Sequence, residues 1–171
     1  VLASASGGSV GAAVGVGVLL VAAVLAGLAP QPGETAFDLF CGVGLFAGAL
    51  ADAGAQVWGV EGDRQAVDFA RTNIPGGTFV AGDVARRLAG LPETADLVVL
   101  DPPRAGAGPV VLAAVAARGP RAIAYVACDP AALGRDLKIA AGLGYEPVSL
   151  RAYDLFPMTH HVECVAILER T

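Results

Sequence analysis

Three short segments of this 171-residue chain carry side chains suited to covalent or acid–base chemistry. In Leu100-Asp101-Pro102-Pro103-Arg104, two prolines stiffen the backbone immediately after a carboxylate at the end of an apolar run. In Tyr125-Val126-Ala127-Cys128-Asp129-Pro130, another apolar run ends on a thiol. Phe156-Pro157-Met158-Thr159-His160-His161-Val162-Glu163 brings a carboxylate to the edge of a third, where a charge without a task is costly to bury. Cys41 and Cys164, in a tight turn and an apolar strand, read as small packing residues, because free cysteine is among the most buried residue types. Cys128, at a strand tip before Asp-Pro, does not fit that description and is the candidate reactive thiol. His160 and His161 either orient a neighbouring group or cap a turn; no third ligand joins them, so no metal is expected.

Upstream, Asp38-Leu39-Phe40-Cys41-Gly42-Val43-Gly44 follows an apolar run and opens a helix-like one. Gly42 and Gly44 permit close approach of backbone to a ligand, although an unliganded turn or a dinucleotide site uses the same residue type. Asp38 separates these readings. It repels a pyrophosphate but accepts hydrogen bonds from an ammonium group or a bridging water, which favours a cofactor without phosphate. Glu61, at the end of the next run, suits two hydrogen bonds from vicinal ribose hydroxyls. Asp83 is either an acceptor for an adenine amino group or a helix N-cap, and Phe40 either contacts adenosine or packs the core.

These segments require a sheet whose strand ends converge. Strands are expected at residues 35–40, 56–61, 78–81, 96–101, 121–127, 147–153 and 162–168, and helices at 45–53, 64–72, 108–117 and 131–143. Alternation of the two predicts an α/β domain with a largely parallel sheet. Only residues 154–161 join the last two strands, too few for a crossover helix, so an antiparallel hairpin is expected. The length suits one domain, and the composition, 55% hydrophobic and 16% charged, is that of a globular chain.

No charge occurs between Val10 and Pro30. Either a membrane span or a buried helix has this length; four glycines, the lack of flanking Lys or Arg and the lack of an aromatic anchor favour the buried helix. The organisation expected is therefore an apolar helix within 1–29, frayed over 4–9, packed on or beside a domain at 30–171. Three cysteines without pairing suggest a reducing cytoplasm and no disulfide framework. Eleven basic against 16 acidic side chains, a net charge of −5, disfavour unaided nucleic-acid binding. Local cations are then needed for a polyanion: Arg104, Arg135 and Lys138 are the candidates, with a solvated helix face as the alternative.

Taken in order and spacing from about Pro30 to Arg170, the Asp-Pro-Pro-Arg, Cys-Asp-Pro and His-Val-Glu segments resemble the RNA uracil-5-methyltransferase family. The resemblance implies a Rossmann-like class I methyltransferase fold, a seven-stranded, mostly parallel sheet with an antiparallel C-terminal hairpin. It implies S-adenosylmethionine as cofactor and tRNA or rRNA as partner. Cys128 matches the nucleophile, Glu163 the general base and Asp101 a carboxylate beside cofactor and uracil. Asp38, Phe40, Gly42, Gly44, Glu61, Asp83 and Asp101 fall at the cofactor, and Arg104 and His161 at the substrate. The chemistry asks for the same types: carbon 5 of uracil is a weak nucleophile until a thiolate adds to carbon 6.

Family members carry an aromatic-x-Gln segment upstream of the glycine turn, where this chain reads Ser9-Val10-Gly11-Ala12-Ala13-Val14. No RNA-binding domain is expected within the chain. An amino-methyltransferase also uses Asp-Pro-Pro, but with an aromatic residue where Arg104 stands. A non-catalytic cofactor-binding module is the third reading.

Overall fold

Strands that read as unbroken apolar runs must be covered on both faces. The computed structural model, which describes residues 7–153 and 162–171, has this arrangement. Five parallel strands, β1 (Thr35–Leu39), β2 (Gln56–Glu61), β3 (Thr78–Ala81), β4 (Leu97–Leu100) and β5 (Ala122–Ala127), precede β6 (Tyr145–Tyr153) and β7 (Glu163–Arg170). The sheet order is β3-β2-β1-β4-β5-β7-β6, with β7 antiparallel to both of its neighbours. All six residues of β5 are buried, and they alternate between two cores: Ile123, Tyr125 and Ala127 face one, Ala122, Ala124 and Val126 the other.

One face is covered by α1 (Gly7–Leu28), α2 (Leu45–Asp52) and α3 (Arg64–Asn73). The other is covered by α4 (Val84–Arg87), α5 (Gly108–Ala116) and α6 (Pro130–Gly142). Although α1 is apolar almost throughout, one stripe docks: Leu20, Val24 and Leu28, at i, i+4 and i+8, are buried, while Val18 and Leu19 are exposed. Gly27 lets the helix meet β7, since a Cβ there would stand 2.3 Å from Ile167 Cδ1. Among the described residues no helix is long and apolar enough to cross a membrane.

The elements differ from the sequence reading mainly at their ends. Strand β6 begins at Tyr145 rather than 147, because the Tyr145 ring is buried and its hydroxyl donates to Pro120 O at 2.8 Å. Pro147 is tolerated there at a register shift on a sheet edge, where a missing N–H interrupts little. The four-residue α4 and the 3-10 turn Leu88–Gly90 went unread, being too short to show a period.

Candidate active site

The strand order reverses between β1 and β4, where an α/β sheet opens a crevice at its carboxyl edge. Chain leaving β1 turns through Phe40 at φ 65°, Gly42 at φ 50° and Gly44 at φ 92° before α2 begins. Gly44 is closed in by α3, since a Cβ would lie 2.6 Å from Ile74 Cδ1. Gly42 is open: nothing lies within 4 Å of the place its Cβ would take. Glu61 braces this turn from β2, accepting from Gly42 N at 3.0 Å with Oε2 and from Asp63 N at 2.9 Å with Oε1. Each carboxylate oxygen has a further lone pair, so the brace leaves acceptor capacity for a diol.

Asp38 lies beneath the turn, wholly buried. Its Oδ2 accepts from Ala47 N in α2 at 2.8 Å, a backbone donor with no sequence signature. Its Oδ1 is buried with no hydrogen-bond partner among the described residues. Loss of hydration pushes this carboxyl up to about 7; the Ala47 N–H opposes the rise and the charges of Asp101 and Glu61 add to it. Asp101 leaves β4 with its N–H donating to Leu39 O at 3.2 Å. The residue keeps contact with solvent, yet surrounding protein removes enough water from the carboxyl to raise it to about 6, with Glu163 and then Glu61 contributing. Asp38, Glu61, Asp101 and Glu163 thus form a chain of interacting carboxylates drawn from four strands. Such a chain is complementary to a cation, and the unpartnered Asp38 oxygen is complementary to a donor.

The thiol reaches the same edge. Ala127 of β5 pairs with Cys164 of β7, and one further step in that antiparallel register sets Cys128 level with Glu163. Cys128 is half-buried and lines a narrow crevice, too small to hold a water molecule, with Pro102, Pro103, Arg104 and Asp129. Asp129 turns the chain into α6 as its N-cap, accepting from Ala132 N at 2.7 Å. Cys41 and Cys164 are each 6% exposed, and burial raises both thiols, with Asp38 and Glu61 adding at Cys41 and Glu163 at Cys164. Their thiolates are disfavoured, which fits packing rather than attack.

Phe40 and Asp83 border one cleft of about 240 Å³ with Val84, Ala107, Pro109 and Val110. Asp83 is also the N-cap of α4, its Oδ1 accepting from Arg86 N at 3.0 Å. The half-buried Phe40 also packs against the core. Arg104, Arg135 and Lys138 are exposed. His161 lies outside the described residues, as does His160. Two buried groups beside the crevice, Asp136 and Tyr125, went unread; the available signal was a charge at 136 among the core-facing positions 133, 137 and 140 of α6.

Comparison with known proteins agrees with this fold. The family description tRNA (Uracil-5-)-methyltransferase matches residues 86–171, and a general methyltransferase domain matches residues 37–101. A Streptomyces avermitilis protein named as an uncharacterized RNA methyltransferase is 55% identical over 158 residues, 88% of this chain and 36% of that protein. The 23S rRNA (uracil(1939)-C(5))-methyltransferase RlmD of Shewanella sp. strain ANA-3 is 43% identical over 157 residues, 88% of this chain and 35% of that protein. Among solved structures, Pyrococcus abyssi tRNA (uracil-54, C5)-methyltransferase in complex with S-adenosyl-L-homocysteine superposes with a TM-score of 0.76. It is 33% identical, with 89% of this chain and 38% of that chain covered.

Sheet order, glycine turn and the carboxylate ending β2 together define a class I methyltransferase domain. Within that class, the chain belongs to the tRNA (uracil-5-)-methyltransferase family. It spans about a third of the length of the curated relatives it matches.

Proposed function

We propose that this chain is the catalytic domain of an RNA methyltransferase that binds S-adenosylmethionine and methylates carbon 5 of a uridine through a Cys128 adduct. The observation that carries the reading is the β5–β7 register, which sets Cys128 level with Glu163, a residue whose charge is felt by Asp101. Cofactor identity is supported by the carboxylate chain and the open Gly42, which suit a ligand bearing positive charge and an amino group better than a pyrophosphate. Glu61 would hold the ribose, Asp38 and Asp101 the charged end, and Phe40 with Asp83 the adenine. S-adenosylmethionine, when bound, supplies a methyl group made electrophilic by its sulfonium.

The protein's own groups do the rest. Cys128 thiolate forms a bond to carbon 6 of uracil, and the carbon 5–carbon 6 π pair moves into an enolate, making carbon 5 nucleophilic. Once carbon 5 is alkylated, Glu163 takes its proton. That electron pair rebuilds the double bond and expels the Cys128 thiolate. Arg104, on the rim of the Cys128 crevice, is placed to meet an RNA phosphate.

The test uses the full-length protein with 5-fluorouridine-substituted tRNA and 23S rRNA fragments, because fluorine at carbon 5 blocks proton removal and traps the adduct. Wild type plus S-adenosylmethionine is expected to give a covalent complex stable to denaturation with one of the two RNAs, and Cys128→Ala none. Equal trapping by both proteins disposes of the mechanism. Cofactor binding without methyl gain in any RNA leaves a binding module, and methyl on a nitrogen in nucleoside analysis leaves the amino-methyltransferase.

A further inference from the structure

Asp136 is a charged side chain at a core position. Helix α6 turns Leu133 and Ala140 into the core beside the sheet, and Asp136, 4% exposed, lies on the same side. A carboxylate is costly to bury unless its hydrogen bonds are made. Something other than apolar packing therefore requires a carboxylate at this position.

The hydrogen bonds of that carboxylate point to what does. Asp136 Oδ2 accepts from three donors: Tyr125 Oη at 2.5 Å, Ala107 N at 2.7 Å and Gly108 N at 3.2 Å. Ala107 N also lies 3.0 Å from Tyr125 Oη. Burial, and then the bond to Asp136, hold the Tyr125 phenol in its protonated, donating form. The donors come from two separate segments. Tyr125 stands three residues before Cys128 on β5, whereas Ala107 and Gly108 end the turn that leaves Asp101-Pro102-Pro103-Arg104. That turn is closed by Gly106 N donating to Pro103 O at 2.8 Å. Gly106 has φ 88°, and a Cβ on it would stand 2.7 Å from Asp136 Oδ2, so the turn passes over the carboxylate in a form that suits glycine. Both walls of the Cys128 crevice, one from each segment, are tied to one oxygen.

We infer that Asp136, through Tyr125 and the Gly106–Gly108 turn, is a positioning residue that fixes the Asp101–Arg104 segment against Cys128. The inference rests on the proposed uridine chemistry for its consequence, which is rate. A misplacement of about 1 Å between reacting groups costs on the order of a hundredfold.

The experiment compares Asp136→Asn, Tyr125→Phe and Gly106→Ala in the full-length protein. The readouts are melting temperature, S-adenosylhomocysteine affinity, KM for RNA, kcat, and the rate of Cys128 alkylation by iodoacetamide. Cofactor affinity and KM are expected within about threefold of wild type, with kcat lowered roughly 10- to 100-fold in Asp136→Asn and Gly106→Ala and less in Tyr125→Phe. Alkylation of Cys128 should shift in the same order. The Asp136→Asn, Gly106→Ala double variant should be no slower than the slower single, because both break the same tie. Folded Asp136→Asn with kcat and alkylation rate within twofold of wild type overturns the inference; so does a lowered melting temperature alone. Should that variant not fold, Tyr125→Phe, which keeps the carboxylate and its two backbone donors, decides by the same criteria. If wild type leaves uridine unmethylated, the proposed reaction fails, while the alkylation series still judges the positioning role.

Discussion

At the scale of single residues, the carboxylates of the crevice set opposite pH dependences for folding and for binding. Asp38 and Asp101 bind their protons more tightly in the folded chain, with values of about 7 and about 6, than an unfolded aspartate does near ~3.9. The stability this contributes is complete below the unfolded value and is lost as pH rises through the two folded values. Cofactor affinity should run the other way, because only the ionised carboxylates attract an ammonium. Calorimetry with S-adenosylhomocysteine is expected to show about a tenfold gain from pH 5.5 to 7.5, the worth of one charge-assisted hydrogen bond. Asp101→Asn should flatten part of that rise and part of the fall in melting temperature over the same interval. A pH-independent affinity would remove the carboxylate chain from the binding account.

At the scale of elements, the turn between β1 and α2 divides its two glycines between different tasks. Gly44 has φ 92° and no room for a Cβ against Ile74, so Gly44→Ala should cost about 1–3 kcal/mol in denaturant unfolding. Gly42, at φ 50° with open space above it, should lose less stability as alanine but lower cofactor affinity, since the methyl enters the space proposed for the cofactor. Melting curves and calorimetry on the two variants check the contrast; equal effects on affinity would show that the turn acts through rigidity alone. Glu61 couples this turn to β2 through Gly42 N, so strand register and turn shape are one feature here.

At the scale of the whole molecule, the sheet is a device for bringing distant segments to one edge. Asp38, Glu61, Asp101, Cys128 and Glu163 come from the ends of five strands spread over more than a hundred positions. The cover of the far face depends on α1, whose Leu28 is fully buried against it. Leu28→Ala should destabilise the fold by ~2–5 kcal/mol, the range for a core aliphatic truncated to alanine. An unchanged unfolding midpoint would show that the helix is not part of the cooperative unit.

The apolar runs, the turn residues and the short last connection determined the α/β class and the antiparallel close of the sheet, because strand period and connection length are local properties. They also marked Cys128 out from Cys41 and Cys164, since position at a strand tip is legible in one dimension. Only the tertiary structure decided that Asp38 turns inward to Ala47 N and that Cys128 and Glu163 lie level across β5 and β7. The tie of Asp136 to a turn 28 residues away is likewise beyond the sequence. Hydrogen bonds to backbone N–H groups and the register between distant strands depend on where the chain returns to itself, which residue type does not encode at either end of the contact.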